Sequence, residues 1–194
     1  MAQGIRLTLS RMWDTINIKA TEAASSIIYA FSSGRGRTLG NGSAIVKTFA
    51  HTNLDPDGKP PFSQGNIIGV QIYLNAAIAT MSADKADLLS KDVVFRIKKG
   101  TDNLVEIPIW MLPEIASIKS DTATSTTGHV LNIQKYLGIN PIEVDFVGKG
   151  GSISTEIAIG ATALAMTGAV RMTQILLLSP KTVDRTRKGT AITA

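Results

Sequence analysis

Beyond residue 42 apolar and polar residues alternate along much of the chain, with the two-residue period of β-strands. In VVFRIK (93–98), Val93, Phe95 and Ile97 fall on one face and Val94, Arg96 and Lys98 on the other. In IEVDFV (142–147), Ile142, Val144 and Phe146 oppose Glu143 and Asp145. Eight such runs predict strands near 44–49, 67–79, 93–98, 104–111, 129–134, 142–147, 152–164 and 169–178. The third and fourth, separated by KGTDN, read as a hairpin. One helical pattern interrupts them, SADKADLLSKD (82–92), with Ser82 as N-cap and Ala83, Ala86 and Leu89 on its apolar side. Eight strands bury their faces best as two packed sheets or a closed barrel.

The start of the chain follows another pattern. TINIKATEAASSIIYAF (15–31) predicts a short helix with Ile16, Ala20, Ala23, Ala24, Ile27, Ile28 and Phe31 on one side. SSGRGRTLGNGS follows, with glycines at 34, 36, 40 and 42, and reads as a linker. The expected organisation is therefore a basic N-terminal arm (1–41), a β body (42–179) and a basic C-terminal arm (180–194).

Charge sharpens that division. Residues 1–50 carry Arg6, Arg11, Lys19, Arg35, Arg37 and Lys47 against Asp14 and Glu22, a net of +4. Residues 179–194 carry Lys181, Arg185, Arg187 and Lys188 against Asp184, a net of +3. The body between holds 10 basic and 12 acidic groups. Cationic arms on a near-neutral body lay a protein against a polyanion, either nucleic acid or an anionic lipid surface. Gly34 and Gly36, alternating with Arg35 and Arg37, would let backbone and guanidinium approach phosphate together. No aromatic residue is interleaved there, so the contact expected is with the nucleic-acid backbone and independent of base sequence.

Candidate chemistry changes this picture little. The absence of cysteine excludes a disulfide scaffold, thiolate zinc sites and a cysteine nucleophile. NLDPDGKPPFSQ (53–64) places Asn53, Asp55, Asp57 and Gly58 at positions 1, 3, 5 and 6 of a calcium loop. Gln64 stands where the bidentate Glu belongs, however, and DPDG is a turn sequence in its own right. SADK at 82–85 lacks the companion motifs of penicillin-recognising enzymes. GRGRTLG and GKGGS (148–152) miss the dinucleotide- and phosphate-loop spacings. His51 and His129 lie in different segments, and Glu143 with Asp145 reads as the wet face of a sheet. No nucleophile, base or metal cluster is recognisable, so neither an enzyme nor a cofactor or small-molecule substrate is expected.

The stretch 157–178 contains one charge, Arg171, and is long enough for a membrane span. A central arginine costs about 2.5–3.5 kcal/mol there, and two buried strands joined near Thr167-Gly168 fit equally well. The amino terminus lacks the apolar run of a signal peptide, which points to synthesis and folding in the cytoplasm.

The succession GSAIVKTFAHTNLDPDG, IIGVQIYLNAAIA, VVFRIKKGTDNLVEIPIWML and VRMTQILLL, with one short helix between the second and third runs and basic Gly/Ser-rich arms, resembles the single jelly-roll coat proteins of tailless icosahedral viruses. The resemblance covers roughly residues 42–179 and is architectural. It implies an eight-stranded jelly-roll-like β-sandwich with extended arms that assembles with copies of itself and other coat proteins into a virion shell. It also implies that Arg35, Arg37, Lys181, Arg185, Arg187 and Lys188 meet neighbouring subunits, genome or an inner membrane. Two other classes stand beside it: a carbohydrate- or receptor-binding jelly-roll module of tail-fibre or lectin type, and a small protein anchored in a membrane by 157–178.

Overall fold

The computed structural model describes residues 10–61, 64–77, 81–112, 114–119, 124–132, 142–145 and 153–179. Among them ten strands form two antiparallel sheets. The order along the chain is β1 (Ser10–Ile18), β2 (Ile27–Ala30), β3 (Gln64–Ala77), α1 (Met81–Ser90), β4 (Val94–Lys99) and β5 (Asp102–Pro108). A 3₁₀ turn (Ile109–Met111) follows, then β6 (Glu114–Lys119), β7 (Thr124–Asn132), β8 (Ile142–Asp145), β9 (Ile153–Ala158) and β10 (Val170–Ser179).

One sheet runs β1-β10-β3-β7-β6, with β8 also paired to the start of β3, and the other runs β2-β9-β4-β5. Leaving out β6 and β8, consecutive strands alternate between the sheets except for the β4–β5 hairpin, which is jelly-roll order. The fold is all-β, a jelly-roll-like sandwich with one short helix. Period-two patterning explains the layers. On β10, Val170, Met172, Gln174, Leu176 and Leu178 point into the core and the residues between them are half-buried on the outside. On β4, Phe95 and Ile97 enter the core while Arg96 and Lys98 face outward, as their alternation predicts. Gln174 is fully buried, and its Oε1 accepts the Thr155 hydroxyl of the opposite sheet at 2.6 Å, so the buried amide oxygen is satisfied.

The largest departure from expectation lies in residues 10–31. They form no helix and no free arm. β1 and β2 are the first strands of the two sheets, and β1 pairs with β10 from Ser10 to Ile18. Within RMWDTINI, Met12, Asp14, Ile16 and Ile18 share one buried face. That short period-two signal was obscured by the alanine-rich segment after it. The run at 44–49 is correspondingly not a strand of either sheet and pairs instead with residues 36–39, with a bridge between Thr38 and Val46.

The run at 152–164 also stops early, at Ala158, because the chain leaves the four-stranded sheet there to cross to β10. Residues 157–178 are thus the end of β9, a loop and most of β10, and among the described residues no helix is long and apolar enough to cross a membrane. Among the described side chains of α1, Ala83 and Ala86 are exposed and Asp84 and Leu88 are buried; those of Ser82 and Leu89 lie outside the described residues. The reason is polar docking: Asp84 accepts the Thr167 N–H at 2.7 Å and Asp87 that of Ala165 at 2.8 Å, fastening the helix to the β9–β10 loop.

Candidate interaction surface at the open side of the sandwich

β1 and β2 lie at the same side of the two sheets, and the irregular segment between β2 and β3 closes that side. Leu39 and Leu54 insert into it, with Leu54 joining the main core. Lys47 turns inward as well. Its Nζ donates to Asp14 Oδ1 at 2.7 Å, to Asp14 Oδ2 at 2.9 Å and to the Ser33 carbonyl at 3.1 Å. Asp14 also accepts the Phe31 N–H at 2.7 Å. Burial pushes the Asp14 carboxyl above its ordinary value, outweighing the opposing pull of Lys47.

The free edge of β1 is covered by the same segment. The Asn53 side chain accepts the Trp13 N–H at 3.0 Å and donates to the Arg11 carbonyl at 2.7 Å. Thr52 Oγ1 donates to the Trp13 carbonyl at 3.1 Å. An uncovered edge would template pairing with another chain; here the edge groups of Arg11 and Trp13 are occupied, and the Asn17 carbonyl accepts Asn41 Nδ2 at 2.9 Å. Asn53 is thereby committed to β1. Asp55 closes the DPDG turn, accepting Gly58 N–H on its carbonyl at 3.0 Å and Lys59 N–H on Oδ1 at 2.7 Å. Asp57 is exposed beside this turn. Of the calcium-loop candidates Asn53, Asp55 and Asp57, two therefore have structural work, which is the surface-turn alternative.

Residues 36–47 fold back as a two-stranded ribbon. Leu39 N–H donates to Ile45 O at 2.9 Å, Lys47 N–H to Arg37 O at 2.6 Å, and Gly36 N–H to Lys47 O at 2.9 Å. Its turn is Asn41-Gly42, both with positive φ (48° and 77°), the torsions of a type I′ hairpin. That dipeptide was the signal in the sequence for the ribbon. The glycines of GRGR prove structural. A Cβ on Gly34 would overlap the Asp55 carbonyl oxygen, and the Gly36 N–H is already bonded within the ribbon. The Gly36 amide is therefore not held open for phosphate.

Arg35 and Arg37 are both exposed on this segment. Arg35 Nε donates to the Leu54 carbonyl at 3.1 Å, and its guanidinium lies 5.9 Å from the Phe49 ring centroid. Phe49 meets Trp13 edge-to-face at 5.3 Å, and the Trp13 indole donates to the Phe49 carbonyl at 3.2 Å. An aromatic pair thus stands beside a basic residue of the motif, although none is adjacent in sequence. Nearby, His51 Nδ1 accepts the Thr48 N–H at 3.2 Å. Its pKa lies below the ordinary imidazole value through partial burial first, then the positive charges of Arg171 and Lys47.

Cations are treated differently elsewhere in the molecule. On the four-stranded sheet Arg96 pairs with Glu106 at 3.0 Å and Lys98 with Glu156 at 3.5 Å. Arg11, Arg35, Arg37 and Arg171, toward the β1 side, have no carboxylate partner among the described residues. Arg11 and Arg171 were not among the sequence candidates, because only the β1–β10 pairing brings them to one face of the six-stranded sheet. A groove of about 430 Å³ also opens here, lined by Ser32, Ser33, Arg37 and Asp57 among others. Lys181, Arg185, Arg187 and Lys188 lie outside the described residues, as do the side chains of Glu143 and Asp145.

The fold and this surface define the chain as a jelly-roll β-sandwich protein with an uncompensated cationic side. No family model and no curated protein matches it. Among solved structures it is similar to PRD1 vertex protein P5, with 14% identity and a TM-score of 0.36 over 88% of this chain and 97% of that one. At that distance the likeness decides nothing further about this chain.

Proposed function

We propose that the protein is a structural subunit of a virion shell of a tailless icosahedral virus, made in the host cytoplasm and without catalytic activity. The observation that carries this reading is the unequal treatment of arginine on one jelly-roll body: Arg96 of the four-stranded sheet is paired with Glu106, whereas Arg11, Arg35, Arg37 and Arg171 toward β1 have no carboxylate partner among the described residues. Uncompensated guanidinium groups on a folded surface seek an external anion. In this reading Arg35 and Arg37, with Lys181, Arg185, Arg187 and Lys188 of the C-terminal segment, meet neighbouring subunits and an inner polyanion, genome or anionic lipid. Copies of the chain, with other coat proteins, are the principal partners.

The test is the mass of the purified protein by light scattering at low and high salt. Megadalton particles, or oligomers that dissociate as salt rises, are expected. A salt-independent monomer would overturn the reading. It would favour instead a ligand-binding jelly-roll module, for which the groove bordered by Tyr29, Ser32, Ser33 and Asn41 offers polar groups and one aromatic ring suited to a carbohydrate.

A further inference from the structure

The large apolar side chains that the described residues leave exposed fall into two separate groups. In the first, Ile27 and Tyr29 stand on β2, and Ile45, Val46 and Phe49 on the ribbon and its exit, with Phe49 62% exposed. In the second, Trp110 and Met111 stand on the 3₁₀ turn after β5, 56% and 52% exposed. Solitary exposed apolar residues are ordinary, whereas clusters mark contact surfaces.

Both groups are held rigidly. The segment AIVKTFA (44–50) buries its one charged side chain, Lys47, and presents its apolar ones to solvent. The inversion is fixed by the Lys47–Asp14 pair, the ribbon hydrogen bonds and the Trp13–Phe49 contact. At the second group, Ile109 is buried and donates its N–H to Val93 O at 2.9 Å. Leu112 is buried as well and donates to Ile109 O at 3.0 Å. Anchors on either side therefore force Trp110 and Met111 outward. Groups ordered before contact lose little entropy on contact.

Their placement is complementary. The order β2-β9-β4-β5 puts Ile27 and Tyr29 at one edge of the four-stranded sheet and β5, which Trp110 and Met111 follow, at the other. Three inter-strand steps, roughly 14 Å, separate the edge strands. Phe49 stands on Trp13 of β1, the neighbouring edge of the six-stranded sheet. Charge differs between them: β2 and residues 32–49 contain exposed Arg35 and Arg37 and no acid, whereas β5 carries exposed Asp102 and Glu106, the latter already paired with Arg96, and no base.

We propose that copies of this chain associate side to side through these two edges, Phe49, Val46 and Tyr29 of one copy meeting Trp110 and Met111 of the next. Because the two patches differ, the contact is heterologous and propagates in one rotational sense, closing into a ring or continuing as a filament. The proposal rests on the shell-subunit reading for its choice of a second copy as occupant, and the following outcomes separate the two.

Phe49→Glu and Trp110→Glu each destroy one patch and keep the other. Sedimentation velocity should show the wild type assembled, each variant alone monomeric, and an equimolar mixture forming a dimer that grows no further. The mixed dimer also shows that both variants are folded. Persistence of wild-type assembly in either variant, or a mixture that stays monomeric, would overturn the proposal. So would a wild-type monomer that instead floats with phosphatidylglycerol vesicles in a Phe49-dependent manner. Small wild-type rings abolished by the variants would sustain the edge contact while sinking the shell reading. Megadalton particles untouched by the variants would do the reverse.

Discussion

Lys47 Nζ lies 2.7 and 2.9 Å from the two carboxylate oxygens of Asp14, and neither side chain is more than 1% exposed. The pair joins the covering segment to β1 inside the sandwich. Removing one partner of a buried pair leaves an uncompensated charge, so Lys47→Met should destabilise by about 3–5 kcal/mol. The double variant Lys47→Met/Asp14→Asn should recover much of that loss, because no charge is then stranded. Urea unfolding of the three proteins measures this; equal stabilities for both variants would refute the coupling.

Two residues of the same segment should behave oppositely on truncation. Leu54 is 1% exposed and joins the core, so Leu54→Ala should cost about 2–5 kcal/mol. Phe49 is mostly exposed, and Phe49→Ala should change stability by only about 0.5 kcal/mol while weakening self-association. Thermal melts read the first effect and light scattering the second.

The glycines of GRGR have different reasons to be glycine. Gly34→Ala drives a methyl into the Asp55 carbonyl and must displace backbone, which should cost about 1–3 kcal/mol or more. At Gly36 a Cβ meets nothing within 4 Å, so Gly36→Ala carries only the strain of φ +83°, about 1–2 kcal/mol. Denaturation midpoints should rank Gly34→Ala as the less stable.

His51 gives a pH dependence with a defined sign. Its folded pKa lies below the ordinary 6.5, so the unfolded chain binds the proton more readily. The associated stability is present above that value and is lost as pH falls through the folded pKa. Protonation of Nδ1 also breaks the bond from Thr48 N–H. An NMR titration should place His51 below 6.5, and Arg171→Gln should move it upward by removing a nearby positive charge. A midpoint unchanged by that substitution would remove Arg171 as a cause.

Where the polyanion is nucleic acid, replacing Arg11, Arg35, Arg37 or Arg171 by Gln should each lower the slope of log affinity against log salt by about 0.7–0.9. Arg96→Gln, whose guanidinium is paired with Glu106, should leave it unaltered. Fluorescence anisotropy with a labelled oligonucleotide across a salt series distinguishes the two sets.

Local pattern alone determined a good deal. Alternation in VVFRIK marked β4 and its buried face, because a strand with one wet side must repeat every two residues, and the apolar runs at 67–79 and 169–178 marked β3 and β10. The β class of the body, helix α1 and the basic character of residues 35–37 were legible for the same reason: each depends on neighbours in the chain.

Tertiary structure decided the rest. The segment TINI became a strand because β10 offered a partner from Val170 to Leu178, and pairing outweighs the helical tendency of the residues that follow. AIVKTF alternates like a strand yet belongs to neither sheet, since Lys47 meets Asp14 across 33 positions of sequence and turns its neighbours outward. Arg11 with Arg171, Phe49 with Trp13, and the two apolar edges likewise arise only when the sheets close. No local period records such long-range pairings, and they set where this molecule can meet another.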